Sequence, residues 1–156
     1  VADSIREKII KDVVSTLEKT TRDNGFHSDI QSVQRLSLGG FLKVDSPSVW
    51  VDEGREDKED IAGAVRCSLQ IALAVFVIQD SKESFITLGS FLDPIRNDIS
   101  RSLMVDRNRS NNAANTTSIS WDPVDMQVGK TGIIMVGIFE VIYFHSLGDS
   151  TIAWNG

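Results

Sequence analysis

The chain has 156 residues, 41% of them hydrophobic and 24% charged, a composition that fits one globular domain able to bury roughly two thirds of its unfolded surface. A formal charge of −6 and a pI near 4.8 exclude a grip on nucleic acid through clustered Lys and Arg, though not a wall past which nucleic acid slides. The single cysteine, Cys67, excludes an internal disulfide and points to a reducing compartment.

The first element in chain order is a helix predicted over residues 3–23. Ile5, Ile9, Val13 and Leu17 recur every fourth residue and, with Ile10 and Val14, form one apolar stripe. Asp3 or Ser4 can cap its start, with Glu7 at capping-box spacing from Ser4, and Asn24-Gly25 ends it. The N-terminal residues carry no apolar signal core, which predicts a chain made in the cytoplasm. A short strand follows at 30–36, a loop at 37–47 and a second strand at 48–52. Residues 52–60 (DEGREDKED) hold six acids against two bases and read as a solvated acidic connector.

Two long apolar stretches dominate the rest. Residues 65–79 place Val65, Cys67, Leu69, Ile71, Leu73, Val75 and Val77 on one face. The other face starts polar, at Arg66, Ser68 and Gln70, and turns apolar at Ala72, Ala74, Phe76 and Ile78, which predicts a strand covered on one side along half its length and on both sides along the other half. The unbroken apolar run 71–78 is far short of the roughly 20 residues a membrane-spanning helix needs. Residues 132–145 (GIIMVGIFEVIYFH) form the second long strand. Both exceed the five or six residues of an ordinary strand and predict arms that reach a neighbouring chain.

Between them lies a helical region at 84–104, with Pro94 marking a kink or a fresh start capped by Asp93. The polar stretch 107–117 (RNRSNNAANTT) reads as a flexible loop that a neighbour orders, since it lacks apolar anchors. A strand at 119–127 contains Pro123, which suits a sheet edge. Residues 128–132 form a turn and 147–156 a C-terminal tail in which Ile152 and Trp154 are docking residues. The order α-β-β-β-α-β-β predicts a single α+β domain over 1–156, an antiparallel or mixed β-sheet with two helices packed on one face.

No catalytic, metal or cofactor constellation emerges. Gly129-Lys130-Thr131 lacks the upstream glycine of a phosphate loop, where Val124 stands, and it precedes a strand instead of a helix. Cys67 lies on an apolar strand face, without a visible base. His27, Asp29 and His145 are a poor zinc set without a second cysteine. The acidic run does not match a calcium loop. Its Glu53, Arg55, Glu56, Asp57, Glu59 and Asp60, together with Arg107 and Arg109, are candidate partner contacts.

The succession IREKIIKDVVSTL, GFHSDIQSVQR, Pro-Ser-Val-Trp-Val running into Gly-Arg-Glu, and a closing strand EVIYFH resembles the tail terminator (tail completion) proteins of long-tailed bacteriophages. The resemblance spans most of the chain and departs from the pattern at 107–117 and after Tyr143. It implies a homo-hexameric ring in the virion, assembled in the host cytoplasm, with no enzymatic activity and no cofactor. Such a ring caps the tail-tube protein, stops tube growth and meets the head-connector or neck protein. It also touches the sheath protein where the tail contracts, and lets DNA pass without specific binding. Another neck or tail component, and a small-ligand or nucleotide-binding domain built on the 129–132 turn, are the alternatives.

Overall fold

The computed structural model describes residues 2–36, 45–78, 88–122, 126–128 and 132–153. The readings that fall on the loop at 37–44, the start of the second helical region, Pro123, the Gly129-Lys130-Thr131 turn and Trp154 lie outside the described residues.

Helix α1 (Ile5–Glu18) starts where Ser4 Oγ accepts the Glu7 N–H at 3.1 Å, satisfying one of the free first-turn donors. Ile5, Ile9, Ile10, Val13 and Leu17 are all buried. The helix stops five residues before the predicted end. Thr20 is buried and turns its hydroxyl back onto the Thr16 carbonyl at 3.2 Å, a side-chain bond that competes with helix continuation. Gly25, at φ 88°, ends a separate 3-10 turn at Arg22–Asn24. Arg101 of the second helix holds this turn through the Gly25 carbonyl at 2.6 Å and lies over the Phe26 ring.

The sheet comprises β1 (Ser32–Arg35), β2 (Ser48–Ile61), β3 (Ala64–Ile78), β4 (Asn115–Trp121), β5 (Met126–Val128), β6 (Gly132–Ser146) and β7 (Asp149–Ala153). Its order is β1-β2-β3-β6-β4, with β5 and β7 also pairing with β6. Among the described strands β1–β2 is parallel and the other pairs are antiparallel, so the sheet is mixed, one of the two forms predicted. The two long strands pair without a slip, from Ala64↔Ser146 to Ile78↔Gly132.

Three sequence readings are corrected by the sheet. The acidic connector is the outer half of β2, which continues to Ile61 and turns into β3 through Ala62 and Gly63 at φ 37° and 95°, both left-handed as a two-residue hairpin turn requires. The strand read at 119–127 is two strands, and residues 115–117 of the predicted loop begin the first. The predicted tail contains β7, folded back on β6.

Helix α2 (Leu88–Val105) runs through Pro94 without a break, so Asp93 does not cap a new start; its carboxylate pairs with Arg96. Leu92, Ile95, Ile99 and Leu103 join the α1 stripe and the odd-numbered residues of β3 and β6 in one core. Both helices therefore cover the same sheet face. Beside them, Trp121 stands edge-on to Phe139, with centroids 6.0 Å apart. A Cβ at Gly137 would lie 2.7 Å from the Trp121 ring, so this contact requires glycine.

Candidate functional site

The acidic half of β2 is shaped by one extra residue. Glu53 lies opposite Ile71 and Glu56 opposite Leu69, leaving Gly54 and Arg55 against Gln70 alone, which is a β-bulge. A Cβ at Gly54 would lie 2.9 Å from the Gln70 carbonyl oxygen. The insertion switches the alternation, so that Glu56, Lys58 and Asp60 share the inner, helix-covered face with Glu53. Asp52, Asp57 and Glu59 share the outer face, opposite Ala72, Ser68 and Arg66.

The inward acids meet cations. Arg35 bridges Glu7 at 2.5 Å and Glu53 at 2.6 Å. Arg6, on the first turn of α1, reaches Glu53 at 3.4 Å and pairs closely with Glu56, whose second oxygen accepts the Tyr143 hydroxyl. Lys58 stands 3.9 Å from Glu56. Charges thus alternate from Glu7 through Arg35, Glu53 and Arg6 to Glu56, tying α1, β1, β2 and β6 together. A cavity of about 370 Å³ lies over the last members, lined by Ser4, Arg6, Glu56, Lys58, Tyr143 and Ser150.

Burial works to raise the Glu56 pKa, but the Tyr143 hydroxyl and Arg6 outweigh it and hold the carboxyl below its usual value. Tyr143 is pushed up, first by burial and then by Glu56. Cys67, buried beside them, is also pushed up by burial, the opposite of an activated thiolate. Arg6, Arg35, Glu53, Glu56 and Tyr143 all find their partners within the chain. The arrangement therefore positions α1 on the sheet.

The predicted contact residues separate into two groups. Arg55 and Asp57 pair at the surface at 3.0 Å, and Glu59, Asp60 and Arg107 are exposed. Glu53 and Glu56 are drawn into the network. Arg109 is corrected outright. It is fully buried, within 3.1 Å of Asp12, and its guanidinium donates to the Leu103 and Asp106 carbonyls. Helix α2 has no basic residue in its last turn, and Arg109 supplies that charge from beyond its end. Burial works to lower the Arg109 pKa, against the pull of Asp12. From this position the chain continues through successive left-handed residues, Arg109, Ser110 and Asn111, at φ 47°, 55° and 66°.

Sequence reasoning missed Arg6, Arg35, Lys58 and Tyr143. The available signal was Gly54, since a glycine inside an extended stretch marks a bulge and hence a change of face. His27 and Asp29 both hold Arg22, through the His27 carbonyl at 3.2 Å and the Asp29 carboxylate. His145 is buried, with Nδ1 2.8 Å from the Ser146 carbonyl. Among the described residues no group of three or more His, Cys, Asp or Glu is placed to hold a metal.

The outer face of the long strands is the second candidate surface. Ala72, Ala74 and Phe76 of β3 lie against Ile138, Val136 and Ile134 of β6, respectively, with Ile142 and Phe144 further along. No helix among the described residues packs on this face. Apart from Phe76, these side chains are only partly buried, and Ile78 is 46% exposed. Neither a protein-family model nor a curated protein matches the chain.

Proposed function

We propose that this chain is a structural subunit, without a catalytic step of its own, that forms a homo-hexameric ring capping the tail tube of a long-tailed bacteriophage. The ring stops tube elongation and joins the tail to the head connector. One observation carries the reading: the long β3 and β6 strands bury one face under both helices and leave an apolar stripe on the other, centred on Ala72, Ala74, Val136 and Ile138. Contiguous apolar surface of this kind marks a site of association, and a ring gives every subunit an identical neighbour to cover it. The sequence resemblance supplies the identity of the ring, and the α+β fold with a mixed sheet is compatible with it.

The test is polymerisation of the cognate tail-tube protein, imaged by electron microscopy with and without this chain. The expected result is tubes that stop growing and carry a ring at one end. Tubes of unchanged length without terminal rings would contradict the proposal.

A further inference from the structure

Strand β1 faces β2 along Ser48–Val51, and just beyond it the Leu36 N–H donates to the Val51 carbonyl at 2.9 Å. Among the described residues no strand pairs with that side of β2 from Asp52 to Ile61. Ten residues at roughly 3.4 Å each leave an edge of about 34 Å. Its backbone donors and acceptors on that side are a template for another strand.

The charges decide what can lie there. On either side of the bulge, Glu53 and Glu56 face inward and are matched by Arg6 and Arg35. Asp52, Asp57 and Glu59 form a row on the outer face, with only Arg55 paired along the strand and Arg66 across from Glu59. A second copy of the same edge would set acid against acid, which opposes pairing. A strand with cations at alternate positions would set each of them beside this row while its backbone completes the ladder.

We infer that the Asp52–Ile61 edge of β2 is a strand-addition site for an extended, basic segment of a partner protein, and that its acids both admit that segment and exclude a second copy. A monomeric subunit carries this edge as a ringed one does, so the site stands apart from the ring proposal.

The probe is a capped ten-residue peptide alternating Lys and Thr, added to the full chain and followed by amide hydrogen exchange. The expected result is exchange at least about tenfold slower across Asp52–Ile61, lost at high salt. Replacing Lys by Glu in the peptide, or N-methylating its backbone while keeping its charges, removes the protection. In the protein, the exposed pair Asp57→Asn and Glu59→Gln weakens peptide binding at least about tenfold. Failure of the Lys peptide to slow exchange would overturn the inference. Equal protection by the Glu peptide would remove its electrostatic half, and equal binding by the N-methylated peptide would remove its backbone half.

Discussion

The two faces of the β3–β6 pair share one backbone and one register, yet they are used differently. Odd-numbered residues from Val65 to Val77 are at most 7% exposed, sealed by α1 and α2. Even-numbered residues from Ala72 to Ile78 and from Ile134 to Phe144, Glu140 apart, are as apolar, and among the described residues no helix packs on them. Apolar residues on the inner face form the core, whereas on the outer face Trp50 and Phe76 are buried against each other and Ala72, Ala74, Val136 and Ile138 stay partly exposed among the described residues. An apolar surface left over once the core is complete is available for another subunit.

The sharpest way to break this comparison is the same substitution on each face. Ile71→Asp places an unpaired charge in the core and is expected to cost on the order of 5 kcal/mol, which unfolds the chain. Ile138→Asp, on the outer face, is expected to change monomer stability by about 1 kcal/mol at most while preventing assembly. Denaturant unfolding alongside sedimentation velocity separates the two effects.

Gly137→Val tests how tightly the inner face is built, because its side chain would meet the Trp121 ring. Forced overpacking of this kind costs about 1–3 kcal/mol, read as a lower unfolding midpoint with the near-ultraviolet tryptophan signal altered. Arg109→Ala removes the charge that caps α2 and leaves Asp12 without its cation. A loss of about 2–3 kcal/mol is expected, with faster hydrogen exchange at the end of α2. An unchanged stability would return Arg109 to the role of a surface contact.

A pH-dependent effect concerns Glu56. Its folded pKa lies below the unfolded value of about 4.3, so its contribution is present above that value and disappears as pH falls through the lower folded one. Glu56→Gln is expected to cost about 1–2 kcal/mol at pH 7. The variant should also lose less stability than the natural chain on acidification below about pH 5. Equal acid sensitivity of the two proteins would show that the Glu56 charge does not help hold α1 to the sheet.

Much of the fold was legible because apolar spacing reports local geometry. The stripe from Ile5 to Leu17 and the alternation from Val65 to Val77 announced one helix and one long strand with a buried face; the second cover expected over its apolar half is seen only at Phe76 among the described residues. The outer half of β2 was hidden because its side chains are selected by water and by Arg6 and Arg35, so residues 52–60 carry no apolar alternation. Its extended state follows instead from pairing with β3 and the Ala62–Gly63 turn. Arg109 was misread for a related reason. A buried arginine is matched to carbonyls and to Asp12, partners that a polar run such as 107–117 does not reveal. The network around Glu56 joins residues up to 87 positions apart, and no local pattern encodes that separation.

Native mass spectrometry of the purified chain and of Ile138→Asp, recorded across a concentration series, tests the role of the outer face most directly. The expected spectra show a hexamer for the natural sequence and a folded monomer for the variant. A natural chain that stays monomeric at every concentration, even with a tail-tube protein present, would contradict assembly through the outer face of β3 and β6.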